Sequence, residues 1–393
     1  MRKNRFIVPM VLSISCALGC SGIHETVSAA KRVPERAHLK FASPELAAEL
    51  KPRSPILSPA QEFFRSPEGI WGEGRRLGPL WTYDPPGGAT LDGSAMLSPT
   101  QMAIFESPNP RGMERVLRYL DADGHAVSSR SLSGFFTTLD AGLLGGRQVF
   151  LAKGSDLIRV IDADGNPVWK EDVPASQAVL ADLTGDRQGA LVIGSGLRGT
   201  VSAFAGDGRR LWIREGLGEV YGLAGALKVV AVFCSAGVVI LDAQGRTVMS
   251  FADETVPERG VFLSPQGSAI LLAHVGSNSG MSRSRLRISR IEGSARSVAA
   301  EADIGPTRVV SMIAPDLNGD GRKELALGTE NGWVLLYDEH AQLWGEKHHL
   351  GPVPFLAASD INGDGWDELL VGMRGNSSRI YAYGAITPPA SKP

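Results

Sequence analysis

Disulfide stabilisation is excluded almost by count. The 393 residues hold three cysteines, and two of them, Cys16 and Cys20, fall within the first twenty. If those two are used at the N-terminus, Cys234 has no intrachain partner and stability must come from packing. Cys234 follows the apolar run Val229 to Phe233, the setting of a buried, inert thiol rather than a nucleophile. Excess charge is missing too: 40 Lys and Arg stand against 42 Asp and Glu, which leaves no global field for nucleic acid. Histidine is scarce, and His340, His348 and His349 have no carboxylate partner that spacing identifies, so they read as packed or solvated. Long helices are disfavoured by 47 Gly and 24 Pro, which punctuate the chain too often. Hydrophobic residues at 43% still supply a core.

The longest uncharged apolar stretch is N-terminal, Phe6 to Leu18, after Arg2, Lys3 and Arg5. It is too short to span a bilayer, and its order of charge, apolar core and small residues is that of a secretory signal covering 1–19. Without those three bases the count is 37 basic against 42 acidic. Ala17-Leu18-Gly19-Cys20 resembles the lipobox of bacterial lipoproteins, which implies a lipid on Cys20. Ala17 replaces the commoner Leu of that motif, so plain signal cleavage stays open as the alternative. Ser21 after the cysteine implies, by the same resemblance, an outer-membrane or periplasmic-face location. Residues 20–76 are rich in proline, among them Pro34, Pro44, Pro52, Pro55, Pro59 and Pro67, and read as a flexible tether with a short helix expected at Ser43 to Leu50. The globular part is expected at 77–386, and 387–393 reads as a disordered tail.

One pattern recurs: an apolar run, a tight turn with Asp and Gly, then a second short run that often carries Trp. IRVIDADGNPVW at 158–169 and VSAFAGDGRRLW at 201–212 match position for position, and 117–128, 238–249 and 335–344 share the frame. The turn glycines Gly124, Gly165, Gly208 and Gly245 lie 37 to 43 residues apart, the period of four-stranded propeller blades. The expected fold is all-β, a seven-bladed β-propeller of four-stranded blades, with units near 92–133, 134–173, 174–217, 218–254, 255–302, 303–349 and 350–384. In the last unit the chain ends after the third strand, Ile380 to Tyr383. Pro79-Leu80-Trp81-Thr82 has the outer-strand pattern yet precedes the first unit, so it is expected to complete the last blade and close the ring. An open β-solenoid would also repeat, but gives no orphan outer strand.

Asp316-Leu-Asn318-Gly-Asp320-Gly-Arg322-Lys-Glu324 and Asp360-Ile-Asn362-Gly-Asp364-Gly-Trp366-Asp-Glu368 repeat one loop. Oxygen side chains at positions one, three and five, the carbonyls of Arg322 and Trp366 at seven and an acid at nine suit a hard cation, best calcium. These segments resemble the calcium loops of FG-GAP and VCBS repeats of the integrin-α-like propeller, including the following strands ELALGT and ELLVGM. The Trp-bearing strands separately resemble quinoprotein-like repeats. Asp182, Thr184, Asp186 and Gln188 occupy the equivalent place in the third unit, but Ala190 replaces the ninth-position acid, so this is at most a weak metal site. The alternative for all three loops is an ordinary solvated turn.

Other motifs carry less. Gly194-Ser-Gly196-Leu-Arg-Gly199 has dinucleotide-fingerprint letters but opens no helix and reads as a hairpin. Asn376-Ser377-Ser378 is a sequon by letters alone. On the face opposite the calcium loops, Arg111, Arg115, Lys153, Arg198, Arg283, Arg285, Arg374 and Arg379 are expected to form a discontinuous basic rim. That rim would recruit an envelope protein, peptide or anionic glycan; scattered solvated arginines are the alternative. The functional expectation is therefore a non-catalytic envelope binding or scaffold module with structural calcium and a membrane contact through its lipid. The alternative is a quinone- or metal-dependent periplasmic enzyme, against which stands the lack of a vicinal cysteine pair.

Overall fold

A computed structural model describes residues 70–385, apart from 73–74, 100, 110–111, 156, 170–175, 264–268, 279–280 and 376–377. The signal segment, Cys20, the short helix expected at 43–50, Arg111, the sequon's Asn376 and the tail 387–393 lie outside the described residues.

Alternating short apolar runs and Gly-containing turns build antiparallel strands, because a strand tolerates β-branched residues and each turn supplies a positive φ. Strands β1 (Ile70–Gly72) and β2 (Arg75–Tyr83) come first. Blade 1 is β3 (Thr90–Ser98), β4 (Gln101–Ser107), β5 (Glu114–Leu120) and β6 (Ala126–Ser133). Blade 2 is β7 (Thr138–Leu144), β8 (Arg147–Lys153) and β9 (Ile158–Asp162). Blade 3 is β10 (Gln177–Ala181), β11 (Ala190–Ser195), β12 (Thr200–Phe204) and β13 (Arg210–Arg214). Blade 4 is β14 (Val220–Ala226), β15 (Val229–Cys234), β16 (Gly237–Asp242) and β17 (Thr247–Phe251). Blade 5 is β18 (Val256–Phe262), β19 (Ile270–Asn278), β20 (Met281–Glu292) and β21 (Ala295–Gly305). Blade 6 is β22 (Val309–Ile313), β23 (Leu325–Thr329), β24 (Trp333–Tyr337) and β25 (Leu343–His348). Blade 7 combines β26 (Phe355–Ser359), β27 (Glu368–Met373) and β28 (Arg379–Ala385) with the N-terminal β2.

Closure joins the expected segments, with Trp81 opposite Ala382, Thr82 opposite Tyr381 and Tyr83 opposite Ile380. Two details differ from the sequence reading. Pairing starts earlier than residue 77: β1 bridges β2 and β25 and so joins blades 6 and 7 at their outer edges. In blade 2, the outer strand expected at Pro167–Trp169 is reduced, among the described residues, to a single bridge from Ile161 to Pro167, because proline has no N–H for a ladder.

The apolar core is divided among blade interfaces, since each sheet buries both faces against its neighbours. Phe105, Leu117, Phe136 and Phe150 fill the space between blades 1 and 2. Val192, Val201, Val232 and Leu241 join blades 3 and 4, and Leu77, Val334, Leu369 and Tyr383 join blades 6 and 7. The repeated Trp and Asp-Gly turn lock together across these interfaces. Trp81 of blade 7 donates its indole N–H to Ala122 O at 2.7 Å, and Trp212 of blade 3 donates to Ala243 O at 3.0 Å. Each ring covers the turn glycine of the next blade, Gly124 and Gly245, where an added Cβ would lie 2.6 and 2.7 Å from the indole. Both glycines also have positive φ, so conformation and close approach together require them.

Candidate functional site

In an antiparallel meander the connections between first and second strands, and between third and fourth, share one face of the ring. The other two kinds share the opposite face. The loops 316–324 and 360–368 therefore lie side by side on one face, between β22 and β23 and between β26 and β27.

Each loop is wound around its aspartates. Asp316 accepts the Gly321 N–H at 3.0 Å, Asn318 accepts that of Asp320 at 3.0 Å, and Asp320 accepts that of Arg322 at 2.8 Å. In the second loop Asp360 accepts from Gly363 and Gly365, and Asp364 from Trp366 at 2.9 Å. The ninth-position acids point inward. Glu324 is 2% exposed and Glu368 fully buried, and they accept the N–H groups of Leu317 at 2.7 Å and Ile361 at 2.6 Å. Asn362 donates its amide to the other oxygen of Glu368 at 2.9 Å. Burial pushes the Glu368 carboxyl above its ordinary pKa, partly opposed by the Ile361 N–H.

The two loops are also tied to each other. Asp316 N–H donates to the Asp367 carboxylate at 2.7 Å, Asp367 N–H returns to Asp316 O at 2.8 Å, and Lys323 reaches the same carboxylate at 3.3 Å. The Trp366 indole lies on Gly319, where an added Cβ would stand 2.2 Å from the ring. Arg322 extends outward to Glu339 at 2.8 Å.

For a hard cation the donor chemistry fits loop 316–324 best. Asp316 Oδ1 is buried with no hydrogen-bond partner, whereas both Asp360 oxygens already accept N–H groups. In the third loop Asp182 accepts from Gly185 and Arg187, and Thr184 donates to Asp186 at 2.5 Å. That contact, then the Gln188 N–H, lowers the Asp186 pKa. The Lys228 side chain lies across this loop, its Cε 2.7 Å from where a Gly185 Cβ would be. Among the described residues, three carboxylate or imidazole ligand atoms converge within 4.8 Å at Asp121, Asp123 and His125, the exposed β5–β6 turn, which sequence reading passed over as an ordinary turn.

The expected basic rim is dispersed by the fold. Arg115 is 1% exposed, not a surface residue: it pairs with Asp92 at 2.9 Å and donates to Phe136 O at 2.9 Å, because its place in β5 turns it toward blade 2. Lys153 turns to Asp140 at 2.5 Å, Arg283 to Asp303 at 2.5 Å, and Arg285 to Glu254 at 3.5 Å. Arg374 pairs with Asp92 and Arg379 with Asp84 at 2.5 Å. Arg198 is exposed at the β11–β12 turn, which is a hairpin as expected.

Cys234 is free and fully buried. His349 is buried between Tyr381 and Tyr383, with its pKa lowered to about 3 by desolvation; His348 packs edge-on against Trp333, and His340 is exposed. A further network that sequence reading missed joins blades 4 and 5: Asp253 takes His274 at 2.7 Å and Arg287 at 2.8 Å, and Arg287 continues to Glu301 at 2.6 Å.

No family model matches the sequence, and no curated protein matches it. The fold recurs in solved structures with little sequence in common. Raptor from Chaetomium thermophilum superposes with a TM-score of 0.58 at 11% identity, over 81% of this chain and 30% of that one. BBS1N, crystallised in complex with ARL6DN, gives 0.56 at 13% identity, over 83% of this chain and 99% of that one. The chain thus spans under a third of the Raptor chain. Such likeness establishes a shared propeller fold.

Proposed function

We propose that this chain is an exported propeller, lipid-anchored at Cys20 through a proline-rich tether, that acts as a non-catalytic binding or scaffold module of a bacterial envelope. The observation that carries this reading is the ring itself, closed by pairing of β2 with β28. A rigid frame that displays many loops suits recognition. The partner is an envelope protein, peptide or anionic glycan, held on the face opposite the paired acidic loops. Calcium belongs to the reading as a structural ion at Asp316, Asn318, Asp320 and Glu324, with the Arg322 carbonyl, and at Asp360, Asn362, Asp364 and Glu368, with the Trp366 carbonyl. Bound there it would neutralise the carboxylates and pin both loops, as the resemblance to FG-GAP and VCBS repeats implies.

The test is to purify the full chain from membranes, analyse its metal and absorbance, and follow thermal unfolding with calcium or chelator. The expected result is calcium without chromophore and a calcium-dependent stabilisation of about 1.4 kcal/mol per occupied loop at tenfold excess over Kd. That gain should be lost in Asp316→Asn with Asp360→Asn, and Cys20→Ser should release the protein from membranes. A bound quinone, or unfolding indifferent to calcium, would overturn the corresponding part.

A further inference from the structure

The innermost strands of the blades surround a central channel of about 670 Å³, within the range of small-molecule sites. Most of its lining residues are small or apolar, although the surface exposed to the channel is more polar than apolar, and four of them are charged: Asp140, Lys153, Glu258 and Arg259. Three of the four are answered. Asp140 holds Lys153 at 2.5 Å; Glu258 holds Arg308 at 3.0 Å and accepts the Ser277 hydroxyl at 2.6 Å. Among the described residues Arg259 has no ion pair or hydrogen bond to its guanidinium.

The position itself is unusual within the ring. The inner strands of blades 1, 4, 5 and 6 share a one-residue bulge, at Asp92, Tyr221, Glu258 and Val310. The residue that follows the bulge is Gly93, Gly222 and Ser311 in three of them, and Arg259 in the fourth. At Gly93 and Gly222 an added Cβ would come within 2.6 and 2.4 Å of a neighbouring inner strand's backbone, so the register normally selects a small residue. A long cation at that register has the channel as its space, and Arg259 lines it. The channel wets the side chain while protein surrounds it. Desolvation first, then the Arg308 charge, pulls its pKa below the ordinary arginine value, with Glu258 and Asp140 opposing.

We propose that the channel binds a small organic monocarboxylate whose carboxylate pairs with Arg259. The guanidinium fork matches a carboxylate with two parallel hydrogen bonds. One unanswered positive charge calls for one negative charge; the second charge of a dianion such as hydrogen phosphate would find the other nearby cations, Lys153 and Arg308, already paired with Asp140 and Glu258. Apolar wall groups such as Leu180 and Leu223 suit the organic part. The inference goes beyond the scaffold reading and stands whether or not the acidic loops hold calcium.

Calorimetric titration of the purified full chain with benzoate, acetate and inorganic phosphate tests it. Benzoate should bind saturably with one site, and Arg259→Ser, which installs the residue blade 6 carries at this register, should weaken it by at least about tenfold. Asp140→Asn should tighten it several-fold by freeing Lys153, a gain that damage to the fold does not produce. Absence of saturable benzoate and acetate binding, equal affinity in Arg259→Ser, or phosphate binding tighter than benzoate would each overturn the proposal.

Discussion

The acidic loops of blades 6 and 7 and the loop of blade 3 begin with the same turn chemistry and differ at the ninth position. In blades 6 and 7 a buried glutamate reaches back to the N–H of the second loop residue. In blade 3 that residue is Ala190, and Lys228 lies across the loop instead. The first two loops also contact each other through Asp367 and Trp366, which couples them as one unit. The ninth acid therefore does two tasks in this fold: it anchors the loop to the strand that follows, and it is a candidate ligand. Where it is missing, a neighbouring lysine side chain lies against the loop glycine Gly185.

The sharpest way to break this contrast is to remove the anchor. Glu368→Ala leaves the buried Ile361 N–H without its acceptor and should cost about 1–3 kcal/mol in urea unfolding. Gln188→Ala in the blade 3 loop should stay within about 0.5 kcal/mol. Equal losses would mean that the ninth acid is not what separates the loops. Next in size is the coupling between loops. Gly319→Ala must place a methyl against Trp366 at φ 68° and should cost about 1–3 kcal/mol, with part recovered when Trp366→Ala is added. Gly185→Ala meets only the flexible end of Lys228 and should cost about 1 kcal/mol.

The smallest effect concerns pH. The folded pKa of Glu368 is raised above its ordinary 4.5, so the stability this group supplies is complete below 4.5 and is lost as pH rises through the folded value. In calcium-free buffer Glu368→Gln should flatten that part of the pH–stability curve. A curve unchanged by the substitution would show that the carboxyl titrates normally.

Much of this architecture could be read from residues. The orphan Pro79–Thr82 pattern identified the closing strand, and the turn glycines set the blade limits, because turn chemistry and strand period are local properties. The surface charges were not legible in the same way. Arg115 looks like any loop-flanking arginine until alternation in β5 turns it inward, and Arg283 finds Asp303 only because β20 and β21 form a long hairpin. Pairing of that kind depends on register between segments, which composition does not encode. Arg259 did carry a signal. In VPERGVF a charge sits where an inner strand is required, and aligning the inner strands of the blades would have exposed it beside glycine and serine.

The closing strand also governs how this protein comes into being. Asp84 and Arg379, which pair beside the seam, are 295 positions apart, so β2 emerges early from the ribosome or translocon and waits for almost the whole chain. Its ladder edge stays unmatched throughout that interval, and topology of this kind makes folding slow. Biogenesis must therefore shelter β2 until β28 arrives, and a truncation that removes only the last strand should be far more prone to aggregate than its small loss of residues suggests.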